Sequence, residues 1–285
     1  MSRFLQAKRG GALPAAIFFT LFFTLFSVAA GLFASVGVGN PLNKVTHSLL
    51  KSDTFKVDAG TYLVSELNKK AGSEEATLLT DKGPAIAAAF TGVLNNSVFE
   101  QQLDSVTDTV FAYYSQGSQG MQSVDLVPIV NMVVTGLEAV DPQFSALRDP
   151  LSTMKPIDLK PQSSGPNVKQ VLSDFRILVL ALFLLSLMTG VLYVYFAESF
   201  NGVLKTLSWI FSVEGVFLIA LAVVGKSVAT SQANQAAQSI VHEVVPIVSS
   251  TLLTPLKVLG VLELLIGLGM LAPSVIRRFQ KKGSV

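Results

Sequence analysis

Two glutamates, Glu214 and Glu263, lie inside long apolar runs, and their position makes them the residues best placed for chemistry. Glu214 falls midway between Lys205 and Lys226, and Glu263 midway between Leu252 and Pro273. Runs of this kind read as membrane-crossing helices, which puts both carboxyls near the bilayer midplane. An ionised carboxylate there costs at least several kcal/mol, so such a residue marks a functional site by default. Two close carboxyls oppose joint ionisation and share one proton. Two chemistries fit: proton or cation handling, or a neutral hydrogen-bonded pair that holds helices together.

Polar residues on the other apolar runs are spaced to complete an inner cluster. Thr20, Thr24, Ser27 and Gly31 recur at i, i+4, i+7 and i+11, which is one helix face. Ser186, Thr189 and Tyr193 form a second such stripe, and Gly260, Glu263 and Gly267 a third. The candidate intramembrane cluster is therefore Glu214, Glu263, Thr20, Thr24, Ser27, Ser186 and Thr189. Lys257 lies nearer the outer surface and is expected to snorkel rather than pair with Glu263.

The elements that must position these residues follow from charge and hydropathy. The chain has 285 residues, of which 50% are hydrophobic and 14% charged. Soluble domains carry about a quarter charged residues. The deficit is concentrated in four stretches, read as spans over 11–38, 177–197, 204–225 and 252–273, each near the ~20 residues that cross a bilayer as a helix. The first run is about twice the apolar length of a secretory signal, so it reads as an uncleaved anchor; the alternative is a cleavable signal with Arg3, Lys8 and Arg9 as its basic region. Basic residues before the first span and after the fourth (Arg277, Arg278, Lys281 and Lys282) place the tails 1–10 and 274–285 in the cytoplasm. The segment from Glu198 to Val203 is then an inner turn, and 226–251 an outer amphipathic loop or helix with Ile240, Val244 and Val248 on one face. The chain has no cysteine, which excludes disulfides and thiolate sites and leans toward a bacterial plasma (inner) membrane.

Residues 39–174 form the extracytoplasmic domain of this reading. It is expected to be mainly helical, so the whole chain is an all-α membrane protein with a four-helix bundle. The clearest helix is Val98–Gln116, with Ser97 and Glu100 as a capping box and Gly117 as its end. Others are expected from Thr61 to Ala71 ending at Gly72, from Pro84 to Leu94, and after Pro128 up to Asp141-Pro142. Ser123–Val127 and Pro156–Leu159 alternate polar and apolar residues and can pair as a small two-stranded ribbon. After a loop at Ser163–Pro166, one helix is expected to run from Pro166 to Ala197.

Several motifs carry less than they suggest. Residues 220–227 satisfy a loose Walker A pattern, but that motif needs a glycine-rich loop between strand and helix. Asn95-Asn96-Ser97 is a glycosylation sequon. Glu100, Asp104 and Asp108 form an acidic stripe, read as a solvated face with slight self-repulsion rather than a cation site. The only histidines, His47 and His242, are far apart in sequence, so no histidine metal cluster is expected. No hydrolase elbow or zinc-protease motif is present. The reading is of a non-enzyme without cofactor, and a net charge of +2 gives no reason to expect nucleic acid.

The order of one span, a large outer domain and three further spans resembles the permease subunits of cell-division and macrolide-exporter ABC systems. The resemblance is one of topology without a shared motif, and it implies membership of a larger membrane complex. Three functions are therefore expected in turn. The first is an envelope protein whose outer domain binds or scaffolds a protein, lipid or wall partner. The second is a small oligomeric transporter or channel using Glu214 and Glu263. The third is the permease-like subunit. A membrane sensor is a weaker variant. Membrane lipid and a protein partner or a second copy are the expected associations.

Overall fold

The computed structural model describes residues 2–70, 73–116, 122–148, 154–159, 168–197, 199–235 and 239–282. The chain is mostly helical, with one small sheet. Helices α1 (Ser2–Val36), α2 (Pro41–Leu50), α3 (Asp53–Lys70), α4 (Ser73–Leu94) and α5 (Ser97–Gln116) come first. Strand β1 (Gln122–Val124), α6 (Val127–Glu138), a 3-10 turn at Pro142–Leu147 and β2 (Ile157–Leu159) follow. The chain ends in α7 (Val168–Phe196), α8 (Phe200–Ala233) and α9 (Ser239–Lys282). It divides into two units, one of residues 1–38, 173–227 and 252–285, the other of 39–172 and 228–251.

Among the described residues, four helical stretches are long and apolar enough to cross a membrane: Gly11–Val36, Val168–Phe196, Phe200–Ala233 and Val241–Ala272. Their unit is arranged inside out relative to a soluble core. Leu178, Leu184, Val191, Val213 and Leu265 are exposed, while Ser27, Ser186, Ser208, Glu214 and Glu263 are buried. That order suits helices surrounded by hydrocarbon, where the interior is the one place a polar group finds a partner. Glycine brings α8 and α9 together: a Cβ on Gly260 would stand 2.7 Å from the Gly215 carbonyl oxygen. Leu218, Ala222 and Leu256 are buried beside this crossing, with Val28 of α1 packed on them. The ring of Phe23 in α1 meets Phe211 in α8 edge to face at 4.8 Å.

Helices α8 and α9 are longer than the spans read from sequence, so most of 226–251 is a continuation of one or the other. Ser, Gln and Ala interrupt the apolar run but are compatible with helix, so the hydropathy boundary and the helix boundary differ. Between α7 and α8 lie only residues 197–199. Ser199 Oγ accepts from the Gly202 amide at 3.1 Å and caps α8. Gly72, Gly117, Glu198 and the Ser163–Pro166 segment lie outside the described residues. So do the side chains of Ile240 and of the basic residues in both tails.

The second unit is a helical cluster with its own core. Gly39, at φ +75°, turns the chain, and Asn40 starts α2 by accepting from the amides of Leu42 (2.9 Å) and Asn43 (3.3 Å). Helices α3 and α4 cross closely at Gly60, where a Cβ would sit 2.7 Å from the Ala87 carbonyl oxygen. Ala59, Leu94 and Phe99 form one buried cluster with Leu50, Phe55, Phe90 and Ile129; Ile86 and Leu137 form another with Val64 and Phe144. Burying each large apolar side chain contributes about 1.5–3 kcal/mol. β1 and β2 pair antiparallel with Ser123 opposite Asp158, the ribbon the alternation indicated.

Four details of this unit differ from the sequence reading. Helix α4 does not begin at Pro84 but runs through it from Ser73, because Gly83 and Ala87 pack against α3 and outweigh the local cost of proline. Helix α3 begins at Asp53, before the expected Thr61, with the Ser52 hydroxyl accepting from the Phe55 amide at 3.2 Å. The capping box is absent: Asn96, not Ser97, caps α5 by accepting from the Val98 amide at 2.8 Å. The acidic stripe is not a bare solvated face, because α2 lies against it. The Asp108 carboxylate accepts from the side-chain amides of Asn40 (2.7 Å) and Asn43 (2.9 Å), and His47 stands between Glu100 and Asp104.

Candidate functional site

The membrane-type unit gathers its polar residues where three helices meet. On α1, the spacing that put Thr24 and Ser27 on one face now places them at the two glutamates. Thr24 Oγ1 donates to Glu214 Oε2 at 2.6 Å, and Ser27 Oγ donates to Glu263 Oε1 at 2.7 Å. The two donors are three residues apart, about 4.5 Å of helix rise, so both contacts fall within one turn of α1. Glu214 and Glu263 are each 4% exposed, and Ser27 is fully buried.

Each carboxyl is only half satisfied. Glu214 Oε1 and Glu263 Oε2 are buried and accept no hydrogen bond among the described residues. A buried polar atom without a partner costs about 1–3 kcal/mol, and more for a charged group. A lone hydroxyl donor does not offset a full negative charge in a water-poor interior. The second oxygen of each carboxyl is thus open to a further donor, a proton or a small cation. No group of three or more metal-type side chains gathers among the described residues.

The other candidates divide. Thr20 donates to the Ala16 carbonyl at 2.9 Å, inside its own helix. Ser186 and Thr189 are buried, but Thr189 donates to the carbonyls of Leu185 (2.7 Å) and Ser186 (3.0 Å) on α7 itself. The structure thus joins Thr24 and Ser27 to the carboxyls by hydrogen bonds and leaves Thr20 and Thr189 as satisfied helix hydroxyls. Lys257 is exposed. Residues 220–227 lie wholly within α8, with no loop to cradle phosphate.

Three serines beyond the sequence reading belong to the same interior. Ser208 donates to the Gly267 carbonyl at 2.6 Å, Ser35 donates to the Leu252 and Gly31 carbonyls, and Ser212 Oγ is buried without a partner among the described residues. Ser208, Ser212 and Gly215 recur at i, i+4 and i+7, a stripe of small residues that mirrors Gly260, Glu263 and Gly267 on α9. That spacing was the signal for Ser208 and Ser212.

The helical unit contains a groove of about 480 Å³ between α4 and α6, lined by Gly92, Val93, Asn96, Asn131, Met132 and Thr135 among others. Comparison of the chain with protein-family models, with curated proteins and with solved structures finds no match.

Proposed function

We propose that this is a non-enzymatic, multi-pass plasma-membrane protein that exchanges a proton or small cation at the Glu214–Glu263 pair, acting as an oligomeric transporter or channel. One observation carries the reading: two buried carboxyls, each holding one hydroxyl donor and one unpaired oxygen. Buried polar atoms are usually hydrogen-bonded, so the two unpaired oxygens leave room for a mobile positive species and support this reading over helix glue alone. The basic residues at the two tails support cytoplasmic termini and an outer placement for the helical unit. The want of cysteine is the weak support for a bacterial host.

The test is flux. The full chain, reconstituted into liposomes loaded with a pH dye, is given a potassium diffusion potential. Protein-dependent acidification that is lost in the Glu214→Gln, Glu263→Gln double variant supports the reading, provided the variant keeps its helical content. Wild-type protein that moves neither protons nor monovalent cations overturns it. A second reading, a membrane-anchored binding or scaffolding protein, is favoured by the α4–α6 groove, whose apolar floor and few amide groups suit a ligand site.

A further inference from the structure

Helix α2 packs on α5 and α3, and His47 joins it to α5 by charge. His47 Nδ1 lies 2.6 Å from Glu100 Oε1, and His47 Nε2 lies 3.2 Å from Asp104 Oδ1. The two ring nitrogens thus face two different carboxylates. A neutral imidazole has a single N–H, so it donates to one carboxylate and turns a lone pair toward the other. The imidazolium has two, and it alone suits both sides. Asp104 Oδ1 is buried and takes part in no hydrogen bond among the described residues, and the ring nitrogen 3.2 Å away is placed to neutralise it when the ring is cationic.

We propose that His47 is a proton-operated clasp in the helical unit, closing the C-terminal half of α2 onto α5 when the ring is charged and loosening it when the ring is neutral. The N-terminal half is fastened differently. Asn40 and Asn43 donate to Asp108, and Thr107 donates to Asn43, and none of these groups except Asp108 titrates. Opening is therefore at the His47 end, hinged on the Asn40–Asn43 end, and not release of the whole helix. The surrounding charges are few. On α5 they are Glu100, Asp104 and Asp108. On α3, Asp53 and Lys56 pair with each other at 3.0 Å. Lys44 on α2 and Lys51 just after its end stand one turn to either side of His47. The partners are partly exposed, so the effect is moderate and weakens with salt. The clasp is independent of the carboxyl pair in the membrane-type unit.

Hydrogen exchange of residues 41–50 tests it, on the full chain in lipid nanodiscs, with rates corrected for intrinsic pH dependence. Between about pH 5.5 and pH 8.5, protection of the C-terminal half of α2 is expected to fall by about threefold to tenfold. His47→Arg donates to both carboxylates at either pH and is expected to stay protected throughout. His47→Gln is expected to be equally unprotected at both. His242→Gln leaves the wild-type transition in place. A flat wild-type profile, a full transition surviving in His47→Gln, or an unprotected α2 at both pH values in His47→Arg overturns the proposal. Flux through the membrane unit is read separately, so failure of one idea is distinguishable from failure of the other.

Discussion

Ser27 and Glu263 are 236 positions apart in the chain, yet the hydroxyl of one donates to the carboxyl of the other at 2.7 Å in a fully buried contact. With the companion bond from Thr24 to Glu214, this fastens the first membrane-type helix to the last two.

Removing either hydroxyl leaves a buried carboxyl without a donor. Ser27→Ala and Thr24→Ala are each expected to lower stability by about 1–2 kcal/mol, seen as earlier unfolding in a detergent titration followed by circular dichroism. Thr24→Ser keeps the donor and is expected to stay near wild type. Combining Ser27→Ala with Glu263→Leu is expected to cost less than the sum of the two, because the leucine leaves no unsatisfied oxygen.

The chain has no native cysteine, so single cysteines report sidedness cleanly. Val98 and Asn201 are both exposed. Val98→Cys is expected to react with a membrane-impermeant maleimide on intact cells, and Asn201→Cys only after permeabilisation. The reverse pattern inverts the proposed orientation.

Glycines separate into two kinds. A Cβ added at Gly92 in α4 would meet nothing within 4 Å, so Gly92→Ala is expected to raise the stability of the helical unit by about 0.5–1 kcal/mol. Gly60→Ala would press on the Ala87 carbonyl and Gly260→Ala on that of Gly215, and both are expected to destabilise. Thermal unfolding of the three variants checks the order.

Acid should loosen the helical unit in a defined way. The Lys82 ammonium, helped by the Gln143 amide, holds the Asp141 carboxyl below its ordinary range, and Arg148 does the same for Glu138. A depressed carboxylate contributes stability above its unfolded value and loses it as pH falls through the folded one. The contribution is therefore intact at neutral pH and fades below about pH 4. Asp141→Asn is expected to flatten the acid limb of a stability–pH profile while changing little of its shape above pH 6.

How much of this was legible in the sequence depended on distance along the chain. Thr24 and Ser27 announced a shared face because helical spacing is local, and the alternation at Ser123–Val127 and Pro156–Leu159 was enough to pair the ribbon. Glu214 and Glu263 stood out by contrast with their neighbours. That Ser27 would take Glu263 and Thr24 would take Glu214 was not readable, since it needs the register of three helices. Nor was the covering of Glu100, Asp104 and Asp108 by α2, a contact between segments more than 50 residues apart. Pro84 misled for the same reason: local chemistry argues for a helix start there, and only packing against α3 shows why the helix continues.

The brevity of the link between α7 and α8 bears on how the molecule is made. With only residues 197–199 between them, the two helices have almost no slack, and the entropy of bringing them side by side is small. A link this short favours the two helices folding as a pair. Chain order makes Glu214 before Glu263, and Thr24, its hydroxyl partner in the finished bundle, earlier than either.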